Sequence, residues 1–441
     1  MKLPICIWQY IMTFLRPIDN IRLIQVCKVF NSKLKIYRLS KHRKVNNNII
    51  NKYKNLKYLK LFKQDNYDFS NLKELKQLYI RNRGINIKFL PSTLEILKSS
   101  WHDTYINNIT YLTNLKKLEF STLEFPICVE QLKISFNNIY TYDSNIFKDM
   151  INLKKLNCNM FRKKQIILPI SLEKLNLINC DIFGENLKPL TNLRKLSLNY
   201  AIDYYPITLT SFKCFMKCPG LIDTLKYMTN LRELSCYCTN FVELPISLVK
   251  IRITAYHTNI DALLKCTNLT SLNINSNSII NNNHIFALVK LKKLVIFDTN
   301  INKFPITLEI LSTDIIHNIE YLTNLKKLVM TELETTYQYK LPISLTSLNI
   351  HGSDLYYKDL SYLINLKKLN CDSTNIIRFP ISLTFLDITS CPVDNDNIKD
   401  LINLKIIYMY STLITILPLN IEKIYITNIN SISNLSQLKY L

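Results

Sequence analysis

The chain has 441 residues, 48% of them hydrophobic, and its 56 Lys and Arg against 33 Asp and Glu give a formal charge of +23. That length exceeds what one compact core usually holds, so several domains or a repeat array is expected, and the charge points to acidic partners. With four glycines there is no Gly-rich phosphate loop, and His42, His102, His257, His284, His317 and His351 fall in no metal or nucleophile motif, so a binding scaffold without cofactor is expected rather than an enzyme.

In chain order, residues 1–40 come first and do not repeat. Ile7, Ile11, Phe14 and Leu15 share one helical face, Arg16-Pro17 breaks that helix, Asp19 can cap the next, and Leu23, Val26, Cys27 and Phe30 form a second apolar stripe. Gln9, Tyr10 and Thr13 interrupt the first apolar stretch and no small-x-small cleavage site follows, so it does not read as a secretory leader. No later run reaches the ~20 apolar residues of a membrane span. Two short helices here would at least cap the first coil of an array. The stretch LPICIWQYIMTFLRPIDNIRLIQVCKVFNSKL also resembles an F-box, through Leu3-Pro4, Ile11, Leu15, Pro17, Asp19, Leu23 and Val26 to Phe30. The resemblance implies that Leu3, Pro4, Ile11 and Leu15 dock a Skp-type adaptor, which would make the chain the substrate receptor of a cullin-type ubiquitin ligase. Residues 41–52 read as a basic linker, continuing the Lys- and Arg-rich run KLKIYRLSKHRK (33–44), a solvated helix.

From residue 53 to 441 two phrases alternate. One is NLKKL, as at Asn114, Asn152, Asn324 and Asn365; the other is (L/F)PISL or a close variant, as at Leu168, Leu244, Leu341 and Phe379. Both reduce to LxxLxL, and the first leucines stand 21, 17 and 21 residues apart at Leu345, Leu366, Leu383 and Leu404. The pattern LxxLxLxx(N/C/T)xI is the signature of a leucine-rich repeat, and LNINSNSI at 272–279 fits it closely. The phrases resemble internalin-type and FNIP repeats, the latter known from amoebal and giant-virus proteins. The expected fold is an α/β solenoid of about 18 to 21 units, a curved array with parallel concave strands behind the helical F-box-like segment. One coil cannot bury its own leucines; stacked neighbours must supply the core. The longer connections, such as NDNIKDLINL (395–404), read as helical, whereas connections ending at a proline are minimal.

Most cysteines occupy repeat slots. Cys158, Cys236 and Cys371 replace core Leu, Ile or Phe, and Cys180 and Cys391 replace Asn or Thr. Free buried thiols are the reading, and they imply a reducing, cytoplasmic setting, the host cytoplasm if the protein is viral. Cys214, Cys218, Cys236 and Cys238 are dense enough to weigh as zinc ligands, but their spacing matches no regular zinc pattern.

Numbering each unit from its first leucine, strand alternation puts the third, fifth and seventh positions on the concave face. In NLKKL phrases the third is repeatedly basic: Lys117, Lys155, Lys195, Lys293, Lys327 and Lys368. A proline unit usually lies between them, so these lysines are expected roughly 10 Å apart, two strand spacings. The proline units add Lys133, Lys174, Lys213, Lys250 and Lys423 less regularly. Tyr408, Tyr410 and Tyr425 are expected on the same face near the carboxyl end, and tyrosine suits interface anchors. An acidic protein captured on this face is the first reading. The alternative is a free-standing module that binds nucleic acid through the lysine line.

Overall fold

The structure is a computed structural model that describes residues 38–39, 50, 55–62, 66–81, 86–87, 89–99, 105–106, 108–120, 124–136, 145–160, 166–180, 182–200, 202–216, 219–237, 241–254, 261–274, 280–297, 301–314, 318–331, 340–351, 359–371, 374–389, 391–409 and 414–426. Leu3, Pro4, Ile11, Leu15 and the rest of the F-box-like stretch lie outside these residues, as does Tyr410. The chain divides into two compact units, Met1–Leu209 and Thr210–Leu441.

In the first unit a parallel sheet runs through Arg38–Leu39, Tyr58–Leu61, Gln77–Ile80, Ile96–Ser99, Lys117–Glu119, Gln131–Phe136, Lys155–Met160, Lys174–Ile178 and Lys195–Leu198, each strand pairing with the next. The sheet therefore starts inside the Lys- and Arg-rich run read as a linker helix: Arg38 pairs with Tyr58 and Leu39 with Leu59. The reason is visible in IYRL, which repeats the first four positions of the unit. A second, three-stranded parallel ladder joins Asn66–Tyr67, Asn86–Ile87 and Tyr105–Ile106. In the second unit the parallel strands run from Ser211–Cys214 through Glu233–Cys236, Lys250–Ile253, Ser271–Ile274, Lys293–Ile296, Ile310–Thr313, Lys327–Thr331, Ser347–His351, Lys368–Asn370, Phe385–Asp387 and Ile406–Tyr408 to Lys423–Tyr425.

Register holds position for position, and it fixes what is buried. Leu175, Leu177, Leu348 and Ile350 are at most 1% exposed, as the alternation requires. Approaching each strand the buried residues recur every third place: Leu360, Leu363, Leu366 and Leu369, or Ile319, Leu322, Leu325 and Leu328. Successive i-to-i+3 turns account for that period, as Leu363 N–H donates to Leu360 O and Leu366 N–H to Leu363 O. Turns therefore carry most of the long connections that were expected to be helical. Short helices remain at Pro219–Leu225, Asn282–Phe286 and Asn395–Ile398 among the described residues, the last capped by Asp394, whose carboxylate accepts from Asn397 N–H. His284 belongs to such a cap. Its Nδ1 accepts from Asn281 N–H at 3.2 Å, so Nε2 carries the proton and donates to Asp261 at 2.8 Å.

The two phrases are explained by reciprocal hydrogen bonds between coils. The Asn of NLKKL donates to the carbonyl that follows the proline of the preceding coil: Asn152 to Ile127, Asn324 to Ile306, Asn365 to Ile343 and Asn403 to Ile381. The Ser or Thr of the proline phrase donates to the first leucine of the preceding NLKKL: Ser171 to Leu153, Thr208 to Leu193, Ser247 to Leu231, Thr307 to Leu291 and Ser382 to Leu366. In YLTNLKKL the tyrosine hydroxyl spans the residue before the preceding proline; Tyr321 Oη accepts from Phe304 N–H at 2.7 Å and donates to Phe304 O at 3.0 Å. Each coil thus satisfies backbone groups that its neighbour leaves open. The proline has no N–H to satisfy, and its carbonyl accepts from the N–H three residues on, as Leu172 to Pro169.

No disulfide joins the cysteines among the described residues. Cys158, Cys180, Cys214, Cys236, Cys266, Cys371 and Cys391 are buried, and Cys128 is half-buried. The Cys158–Cys180 and Cys371–Cys391 pairs recur in matching slots of neighbouring coils. Cys391 Sγ donates to Cys371 O at 2.7 Å, and the hydrogen bond between the two thiols together with burial holds Cys371 well above the ordinary thiol range. Cys214 and Cys236 serve the core, while Cys218 and Cys238 lie outside the described residues; among the described residues no group of three His, Cys, Asp or Glu could hold a metal. No helix of the described residues is long and apolar enough to cross a membrane.

Candidate functional site: the open face of the sheet

Two rows of charge run across the strands, and they behave differently. At several second positions Lys and Glu of adjacent coils pair: Lys76 with Glu95 at 2.7 Å, Lys292 and Lys326 with Glu309 at 3.0 and 3.4 Å, and Lys405 with Glu422 at 3.6 Å, whereas Lys367 stands between Thr346 and Thr384. The Lys292 and Lys326 ammoniums hold the Glu309 carboxyl below its usual range. These are exposed pairs of modest energy, but they cancel charge.

The third positions carry the predicted lysines. In the first unit register stacks Tyr58, Gln77, Ile96, Lys117, Gln131, Lys155, Lys174 and Lys195. In the second it stacks Ser211, Glu233, Lys250, Ser271, Lys293, Ile310, Lys327, Ser347, Lys368, Phe385, Ile406 and Lys423. Lys293, Lys327 and Lys368 are exposed with one strand between each and the next, and two spacings of ~4.8 Å reproduce the expected ~10 Å.

Lys117 departs from the expected pattern of free cations. It lies 3.4 Å from Glu119, which also holds Lys98 at 2.9 Å. Burial pushes the Glu119 carboxyl up, but the hydrogen bond from Lys98 and the charges of Lys98 and Lys117 outweigh it and leave it below the usual range. Lys250 is likewise paired, with Glu233 at 3.1 Å, and Ser211 Oγ donates to the same carboxylate. By contrast, Lys155, Lys174, Lys195, Lys293, Lys327 and Lys368 make no ion pair among the described residues. Lys174 was read as an irregular addition, yet register places it directly between Lys155 and Lys195. Aligning SLEKL with NLKKL on their first leucines shows this in the sequence.

The tyrosines stand where alternation puts them. Tyr408 and Tyr425 are fifth-position neighbours, stacked with ring centroids 4.1 Å apart and planes at 12°, and Phe385 leans on Tyr408 at 5.4 Å. A hydrogen bond between the two hydroxyls raises the Tyr408 phenol above its usual range. Tyr425 is 48% exposed, so the stack offers an aromatic edge to solvent next to Lys423. The first unit has an aromatic pair of its own, Tyr58 against Tyr79 at 5.0 Å with Lys98 over the Tyr79 ring at 5.4 Å, which joins a third to a fifth position of adjacent strands and so is visible only once the register is known.

The fold is shared with known structures. The TLR13–ssRNA13 complex matches 92% of this chain and 77% of its own at a TM-score of 0.53 and 16% identity. The fold is that of a leucine-rich-repeat protein. A leucine-rich-repeat protein of Leptospira interrogans matches 79% of the chain and 87% of its own at 0.41 and 19% identity, and the circular repeat protein CroV588 matches 89% and 72% at 0.46 and 18%. At these identities the likeness is one of fold alone. No protein-family model matches the sequence, and no curated protein does. The leucine-rich repeats here put short strands, regular turns and an open sheet face at the disposal of a partner.

Proposed function

We propose that the chain is a protein-binding repeat scaffold that captures an acidic target on the open sheet face, and that residues 1–40 couple it to a ubiquitin ligase as its substrate receptor. The observation that carries the first part is the contrast between the two charge rows: Lys76, Lys292, Lys326 and Lys405 of the second positions pair with Glu of an adjacent coil, while Lys155, Lys174, Lys195, Lys293, Lys327 and Lys368 on the open face make no ion pair among the described residues. Tyr408 and Tyr425 add an anchor of the type enriched at interfaces. The second part rests on the F-box resemblance of residues 3–34, with Leu3, Pro4, Ile11 and Leu15 meeting a Skp-type adaptor in the cytoplasm.

Co-purification from cells tests both parts separately. The intact chain should retain a Skp-type adaptor, and changing Leu3 and Pro4 together to Ala should weaken that capture while leaving the melting of the repeats unchanged. Lys293→Glu, Lys327→Glu and Lys368→Glu combined should release the acidic target and keep the adaptor. Absence of any adaptor on folded, intact protein would refute the ligase coupling and leave the amino-terminal segment as a cap. Retention of the target by the triple variant would refute the lysine face, and recovery of nucleic acid in place of protein would favour the alternative partner.

A further inference from the structure

The strands Lys155–Met160, Lys174–Ile178 and Lys195–Leu198 hold the densest uncancelled charge on the first unit's sheet face. Lys155, Lys174 and Lys195 are in register on adjacent strands and exposed, and they make no ion pair among the described residues. Their ammonium-bearing stems start ~4.8 Å apart, well inside the ~8 Å Debye length of physiological salt, so they act on a ligand as one site of three charges. Where lysines crowd elsewhere on the face, a carboxylate stands among them, Glu119 for Lys98 and Lys117 and Glu233 for Lys250. The acid next to the triad in sequence, Glu173, sits in the second row flanked by Lys154 and Arg194 rather than on the face.

Beside the lysines the fifth-position floor changes character. It reads Tyr79, Lys98, Glu119 and Lys133 on the preceding strands, then Asn157, Asn176 and Ser197 beside the triad. Short, hydrogen-bonding side chains next to a wall of lysines leave room for a rod laid across the strands. Three lysines span two strand spacings, about 9.6 Å. On an α-helix residues i and i+7 are about 10.5 Å apart along the axis, with i+3 or i+4 between them on the same face, a mismatch of about 1 Å. In an extended chain alternate residues on one face advance about 6.7 Å, overshooting the triad by nearly 4 Å over two steps.

We infer that Lys155, Lys174 and Lys195, with Asn157, Asn176 and Ser197 as floor, form a docking site for an α-helix of the target that carries Asp or Glu at i, i+3 or i+4, and i+7. This inference rests on the sheet face being the binding surface. The test uses the full chain and three labelled probes read by fluorescence anisotropy: an alanine-rich helical peptide with Glu at i, i+4 and i+7, a peptide of the same composition with the Glu residues spread around the helix, and a single-stranded oligonucleotide of equal charge. The striped peptide should bind at least tenfold tighter than the spread one and tighter than the oligonucleotide. Lys174→Glu should weaken it at least tenfold and Asn176→Phe, which fills the floor without altering charge, at least fivefold. Lys148→Glu, the same charge reversal at an exposed turn position, should change it less than twofold. Circular dichroism melts confirm that each variant is folded. Equal binding of the two peptides, tighter binding of the oligonucleotide, no effect of Asn176→Phe in folded protein, or an equal loss in Lys148→Glu would each overturn the inference. If it fails while the Lys293, Lys327 and Lys368 triple variant still loses the target, the helix site alone is wrong; if neither set of lysines matters, the sheet-face reading falls with it.

Discussion

Replacing Ser382 with Ala tests the account of why the proline phrase needs Ser or Thr before its leucine. Ser382 is 8% exposed, and its hydroxyl donates to Leu366 O at 2.7 Å; that carbonyl has no other partner among the described residues. The substitution removes a hydrogen bond and leaves a buried acceptor unsatisfied, which costs about 1–2 kcal/mol. A solenoid can unfold in parts, so an effect of this size is read more sharply by a local probe than by a global midpoint. Native-state amide exchange reads it locally. With 1.4 kcal/mol equal to a factor of ten, amides of residues 363–387 should exchange roughly tenfold faster, while those of the first unit should not change. Ser382→Thr should restore protection to within a factor of about two, because Thr93, Thr208 and Thr307 make the same bond in other coils. Unchanged exchange in Ser382→Ala would mean that the serine is incidental and the reciprocal bonding scheme is wrong.

Leu348→Asp places a carboxylate in register between Leu328 and Leu369, at a site 1% exposed, and should cost several kcal/mol; a circular dichroism melt matching the parent would show that the strand phase is misassigned. Burial pushes the Cys266 thiol up to about 11 from an ordinary 9.0. Above pH 9 the unfolded chain loses this proton before the folded one does, so the contribution is intact below pH 9 and drains away towards pH 11, about 3 kcal/mol in all. Urea midpoints at pH 8 and pH 10.5 should therefore fall less in Cys266→Ala than in the parent; an equal fall would place the alkaline sensitivity elsewhere.

The strand phase was readable because its cause is local: a period of two over LxxLxL puts Leu175, Leu177, Leu348 and Ile350 inward with no need of tertiary knowledge. The turns were misread as helices because a period of three in buried leucines resembles half of a helical pattern, and only the i-to-i+3 hydrogen bonds separate the two. Lys117 lost its freedom to Glu119, a fifth-position residue of its own strand, and Lys174 gained significance from its neighbours' register. Both facts lie between units rather than within a phrase. The reciprocal Asn and Ser bonds were in plain sight as letters, but which carbonyls they reach depends on the stacking of one coil on the next.

Taken residue by residue, the phrase NLKKL assigns all but one of its letters to the fold. The asparagine reaches the preceding coil, the two leucines fill the core, and the first lysine joins the second-position row, where Lys326 pairs with Glu309 of the preceding coil. The second lysine faces the open side of the sheet, and its removal breaks no bond that holds the coils together. That separation lets binding vary without cost to the fold. On the proposed reading, neighbouring lysines ~4.8 Å apart in the first unit lie inside the ~8 Å Debye length and act together more strongly than Lys293, Lys327 and Lys368 at ~9.6 Å. The first unit is therefore expected to favour a short, dense acidic stripe and the second a longer, sparser acidic surface.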